Sequence, residues 1–321
     1  MNIVKRKVGR PATLVANEFV GVRLPAALLK RIQKWARGEG IVGRSEAIRA
    51  LIEKSILILL PRQRDRVDPE LSLAIEYSQR LLNTSIDVVG AARIQPDKRR
   101  ARDPRVIALT LLCRSISNFR ATLLLAQQEQ VMEARAMVRL LNENLLWLGA
   151  LRERGAAFVE DMIADQQHND AVIARATMRL TSKHGGDVSS EGALKLRSII
   201  KSIDKRTSRG KKLHANEIAA QGVVELAYVD YLAFSLDALH CSVRSLGRHL
   251  SSERTETTDE LTVSVVPNTP PKEVLSTVLN ACSALMGAAV AANEQIGFTT
   301  ASAALAALHT EFVTNGWTMR R

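Results

Sequence analysis

From residue 70 onward, apolar side chains recur at spacings of three and four almost without interruption, and that period admits little except helices. It predicts helices over about 69–92, 104–128, 129–153, 155–182, 190–206, 215–251, 271–295 and 299–314, with breaks at QPDKRRARDP, KHGGDVSS, SRGKK and NTPP. Only Leu261–Val266 alternates like a strand, and alone it is a connector or an edge piece. The expected class is mainly α, with residues 70–321 forming a large helical bundle.

The front of the chain reads differently. Phe19 to Leu24 alternates, with Val20, Val22 and Leu24 on one face and Phe19, Gly21 and Arg23 on the other, which predicts one short strand. Pro25 suits a first helical position, and Leu28, Leu29, Ile32 and Trp35 then follow at helical spacing until Gly38 and Gly40. A second helix follows Gly43 and ends before Pro61, with Ala47, Ile48, Leu51 and Ile52 as its apolar stripe. Residues 61–69, with two prolines and three arginines, read as a linker. The organisation predicted is a basic arm (1–16), a β-α-α module (17–60), that linker, and the bundle (70–321).

Charge separates the same parts. The chain has 45 basic and 33 acidic residues, a net charge of +12. Residues 1–66 hold fifteen of the basic and five of the acidic ones, so ten of the twelve net charges lie there and the amino-terminal end is where a polyanion would bind. One strand cannot satisfy its own backbone groups, and two short helices bury little, so the module is expected to exist as a dimer whose strands pair antiparallel.

The order strand, helix, helix, with VRLP closing the strand and GRSEAIRALIE at the second helix, resembles the ribbon-helix-helix (Arc/MetJ/CopG-like) family of bacterial DNA-binding regulators. The resemblance implies a two-stranded ribbon in the major groove of double-stranded DNA, with outward side chains reading base edges. Those positions are Phe19, Gly21 and Arg23; Arg23 alone can make a bidentate contact to guanine, and Gly21 has no side chain where the family usually has a polar one. It further implies phosphate contacts at the amino terminus of the second helix, from Gly43, Arg44 and Ser45. Lys5, Arg6, Lys7 and Arg10 would lie along the backbone or in a minor groove. The arginine-dense loop QPDKRRARDP is a further place where nucleic acid could be met.

In the bundle, Arg135, Arg139 and Glu143 fall on one face at four-residue steps. Tyr231, Ser235 and His240 share a later helix with Asp237 and Arg244, the last three at a three-then-four step. This pattern resembles a widespread bacterial family of helical domains of unknown function, over roughly 105–290; it implies a fold and no activity. Two readings are open for Arg135, Arg139, Glu143, Tyr231, Ser235 and His240: a polar network fixing helix register, or the lining of a ligand pocket. An alternative enzyme is a HEPN-like RNase, with His249 as general acid or base and Arg244 stabilising the phosphate transition state. Arg179 with His184 and Arg209 with His214 fit that spacing as well, about as many matches as chance supplies among 32 arginines and six histidines.

Other chemistries lack their motifs. There is no G-x4-G-K-[ST], no G-x-G-x-x-G after a strand, no H-E-x-x-H and no G-x-S-x-G, so no cofactor and no metal are expected. Cys113, Cys241 and Cys282 share no zinc spacing and read as small core residues of a protein from a reducing compartment, the cytoplasm by default. Val274 to Gln295 approaches membrane length, but its alanines, glycine and asparagines fit a tightly packed core helix. The functional expectation is sequence-specific DNA binding as a homodimer, by a transcriptional regulator or autorepressor. Its bundle would serve as a sensor, an oligomerisation surface or a site for a protein partner.

Overall fold

A computed structural model describes residues 26–38, 40, 41, 43, 45–48, 50, 51, 68–206, 212–220, 224–239, 242–254, 259–265 and 267–317. The chain divides into two compact units, Met1–Leu60 and Pro61–Arg321. The fold is mainly α.

In the first unit, α1 spans Ala26–Gly38, and residues 45–48, 50 and 51 are helical. Ile32, Ala36 and Ala47 are buried together, with Trp35, Ile41, Ile48 and Leu51 packed against them. Gly43 has φ +109° and its carbonyl accepts from the Ala47 amide at 3.0 Å, so a residue free of a Cβ penalty opens the second helix. The predicted strand at 19–24 lies outside the described residues, as do Phe19, Gly21, Arg23, Arg44 and the basic arm.

The second unit is a helical bundle, and three of its long helices begin at prolines. Asp68 caps α2 (Pro69–Ala91), accepting from the Glu70 amide at 3.0 Å, and Asp103 caps α3 (Pro104–Gln127), accepting from the Arg105 amide at 2.9 Å. Each Asp-Pro step supplies a side-chain acceptor for free N–H groups and a residue that lacks one where none is needed. After α4 (Val131–Arg154) come α5 (Ala156–Lys183) and α6 (Glu191–Arg206). The last long helix is α10 (Pro271–Gln295), followed by α11 (Ser302–Thr314).

Helix α10 packs on α2, α3 and α4, and buries Val278, Ala281, Cys282, Ala284, Leu285, Ala288, Ala289 and Ala292. Its small residues let the neighbours come close: a Cβ on Gly287 would lie 2.9 Å from Leu145 Cδ1. Both α3 and α10 are long and apolar enough to cross a membrane, and both contribute buried faces to the bundle. At one edge Tyr77, Phe312 and Trp317 form a cluster with ring centroids 5.4–5.8 Å apart, and the Tyr77 hydroxyl donates to the Leu308 carbonyl at 3.1 Å. Cys282 is fully buried with its Sγ 3.2 Å from Ser78 Oγ, whereas Cys113 is exposed, so the expectation that it is a core residue is corrected. Cys241 lies outside the described residues.

The predicted continuous helix over 215–251 is also corrected. It is broken into α7 (Ala215–Ala219), α8 (Glu225–Phe234) continued by a π-helical turn (Ser235–Leu239), and α9 (Val243–Gly247). Ser242 stops the helical run by capping α9: its hydroxyl accepts from the Ser245 amide and the Ser245 hydroxyl from the Ser242 amide, both at 3.1 Å. Strand β1 (Leu250–Arg254) follows and pairs antiparallel with β2 (Asp259–Val263), Leu250 opposite Val263. Leu261–Val263 of LTVSVV therefore lie in a two-stranded antiparallel sheet, the edge piece of the two expected roles, because LSSER, polar as it is, supplies the partner backbone.

Candidate functional site

Helix α4 presents Arg135, Arg139 and Glu143 toward α8 and the π-turn, which pack on it. Arg139 is the centre of an upper layer. Its guanidinium donates to Glu143 Oε2 at 2.6 Å and to the Tyr231 hydroxyl at 2.6 Å, with a longer contact to Ser235 Oγ at 3.4 Å. It also lies 4.4 Å from the Tyr231 ring centroid, and Tyr231 stacks on Tyr228. Ser235 Oγ donates to the Tyr231 carbonyl at 2.6 Å.

A deeper layer holds four charges. Arg135 donates to Asp237 Oδ2, sits 3.2 Å from Glu273 Oε2, and donates from Nε to Thr277 Oγ1 at 3.2 Å. Arg248 donates to the two Asp237 oxygens at 3.1–3.3 Å and to Glu273 Oε2 at 2.5 Å. The side chains of Arg135, Arg248 and Asp237 are only 11%, 12% and 9% exposed, so the set of two cations and two carboxylates is neutral and largely dry. Burial alone would lower the Arg248 pKa; the Glu273 hydrogen bond and the charges of Asp237 and Glu273 hold it above its ordinary value.

The π-turn makes this layer possible. A wider turn carries an extra residue relative to an α-helix, and here both Ser235 and Asp237 are buried. Arg135 and Asp237 also line a pocket of about 370 Å³ with Ala233, Phe234 and Leu236. Among the described residues the two charged groups that line it, Arg135 and Asp237, are already paired, so what the arrangement can do chemically is hold α4, the π-turn, the turn at Arg248 and the start of α10 in one register.

The sequence-predicted residues divide accordingly. Arg139, Glu143, Tyr231 and Ser235 come together; Arg135 joins the deeper layer instead, and His240 lies outside the described residues. The helical run is interrupted at Ser242, and Arg248 takes the Asp237 carboxylate. Glu273 and Thr277 were missed, since no local pattern links them to residues more than a hundred positions earlier. Of the RNase pair, the His249 Nδ1 is 2.9 Å from the Ser264 carbonyl, which requires Nδ1 to carry the proton, and the Arg244 side chain is outside the described residues. In QPDKRRARDP, buried Asp103 is bound by Arg105, just after the loop, at 2.7 Å and Asp97 by Arg99 at 3.1 Å, while Lys98, Arg100 and Arg102 are exposed. Gly43 and Ser45 are exposed at the opening of the second helix.

Comparison with known families gives two matches. Residues 19–57 match the ribbon-helix-helix protein, copG family, and residues 105–257 match a family of unknown function (DUF5677). The second match contains Arg135, Arg139, Tyr231, Asp237 and Arg248 but ends before Glu273. Neither curated proteins nor solved structures match the chain.

Proposed function

We propose that this chain is a DNA-binding transcription regulator that reads its site as a homodimer through residues 17–60. The observation that carries the reading is a coincidence of two independent features: the ribbon-helix-helix match at 19–57 falls on the stretch that holds ten of the chain's twelve net positive charges. In this reading Phe19, Gly21 and Arg23 face base edges. Gly43, Arg44 and Ser45, with Lys5, Arg6, Lys7 and Arg10 of the arm, meet phosphates. Repression of its own gene and a cytoplasmic location are the finer parts of the proposal. Residues 70–321 then act as a sensor, oligomerisation or partner-binding element, whose register is held by the Arg135–Asp237–Arg248–Glu273 set.

The test is selection of bound sequences from a random duplex pool by the full-length protein. A short palindromic motif is expected. Arg23→Ala should then cost about 1–3 kcal/mol and relax preference at one base pair, while Arg44→Ala should weaken all sequences alike. No enrichment, or degradation of the added nucleic acid in a manner abolished by His249→Ala, would refute the regulator reading.

A further inference from the structure

Beyond the basic front of the chain, near-neutrality holds only as an average. Residues 67–321 are net +2, yet residues 171–212 hold eleven basic and three acidic residues, a net of +8 that leaves −6 for the rest of 67–321. This segment contains no aromatic residue. It comprises the carboxy-terminal half of α5, the connecting turn, α6 and the residues up to 212, with α6 packed on α5 as a helical hairpin.

The placement of the cations is regular. The seam of the hairpin is made by Ala171 and Ala174 on α5 and by Ala193 and Ile203 on α6, all buried, with Met178, Leu196 and Ile200 half-buried beside them. Arg175, Arg179 and Lys183 recur every fourth residue along α5, Arg197 and Lys201 do so along α6, and all five are exposed. In both helices the basic row begins one residue after a seam position, 174 or 178 on α5 and 196 or 200 on α6, so both rows lie at the same rotation from the seam. Two antiparallel helices related in this way carry equal rotations on the same side. The two rows therefore share one face, with steps of about 6 Å along each helix and about 8–10 Å between them.

We propose that this face is a second DNA contact, gripping phosphates of the duplex outside the stretch that residues 17–60 read. Long basic side chains without interleaved aromatics contact the backbone and not stacked bases, so the grip would be independent of sequence. The proposal rests on the DNA-binding reading above and extends it to the bundle.

The experiment uses the full-length chain and the variant Arg179→Gln, Lys183→Gln, Arg197→Gln, Lys201→Gln, with two duplexes: the selected site alone, and the site within long unrelated flanks. Wild type and variant should bind the bare site equally. On the flanked duplex the wild type should bind more tightly and with a steeper salt dependence. If each of the four side chains meets one phosphate, the variant should lose about 3.6 from the slope of log K against log salt. That loss is about 10²-fold in affinity over a fourfold change in salt. A companion variant exchanging these Lys and Arg residues for one another should keep the wild-type slope, which separates charge from folding. Equal slopes for wild type and glutamine variant on the flanked duplex, with the site still bound by both, would overturn the second contact and leave the ribbon reading standing. Binding to phosphatidylserine vesicles that the glutamine variant loses, with neither duplex bound by the wild type, would overturn both.

Discussion

Asp237 is the acceptor shared by two buried arginines, and its removal is the sharpest test of how the bundle is held. It receives one bond from Arg135 and three contacts from Arg248 at 3.1–3.3 Å, at 9% side-chain exposure. Asp237→Ala leaves Arg135 and Arg248 to share Glu273, one carboxylate for two guanidinia that water reaches poorly. Breaking a buried pair in this way costs about 3–5 kcal/mol, most of it the stranded charge and not the lost attraction. For a unit the size of Pro61–Arg321, about 2–4 °C of Tm per kcal/mol gives a drop on the order of 6–20 °C. Thermal melting by circular dichroism measures it, provided unfolding is reversible. The reasoning makes a second, stricter demand. Replacing the whole set by apolar residues (Arg135→Met, Asp237→Leu, Arg248→Met, Glu273→Leu) should cost much less than the four single losses together, because no charge is then stranded. A drop below about 3 °C for Asp237→Ala, or strict additivity across the four, would refute the account.

Two further predictions concern stability. Burial raises the Asp230 pKa to about 6, above its unfolded value. The penalty for its charge is therefore complete above pH 6 and disappears below about pH 4, where both states are protonated. Asp230→Asn should raise Tm at pH 7 and converge with wild type near pH 4; a constant difference across that range would sink the assignment. Glycines on the long helices should split by space. A Cβ on Gly90 meets nothing within 4 Å, so Gly90→Ala should stabilise by up to about 1 kcal/mol. A Cβ on Gly149 would lie 2.8 Å from Val224 Cγ2, so Gly149→Ala should destabilise by about 1–3 kcal/mol, read as the shift in the urea midpoint.

The long helices were legible because their signals are local. Asp68-Pro69 and Asp103-Pro104 announce helix starts within two residues, and the observed boundaries of α2, α3, α4, α5, α6, α10 and α11 fall within three residues of those expected. The stretch 215–251 was misread for the opposite reason. Its apolar period runs on through Leu236 and Leu239, and nothing in it signals that a π-turn will re-aim Asp237 or that Ser242 will cap a new helix. β1 was invisible because LSSER has no alternating apolar side chains; only its pairing makes it a strand. In the site, Arg139 and Glu143 are one helical turn apart and could be paired from the sequence. Arg135 with Asp237 and Arg248 with Glu273 are joined only by packing. The near-neutral balance of residues 67–321 hid the basic hairpin because a sum over 255 residues erases a segregation inside it.

The burial of Cys282 gives the protein an internal clock. The thiol has no solvent exposure, touches Ser78 across α2 and α10, and burial pushes its pKa up to about 12, so neither reagent nor thiolate is available while the two helices stay together. Cys113, on the surface of α3, is open to the same reagent from the first moment. When labelling is fast relative to reclosing, each modified Cys282 records one opening of the bundle, counted against Cys113 in the same molecule. The rate at which the core breathes can then be read from two peptides of the unaltered chain.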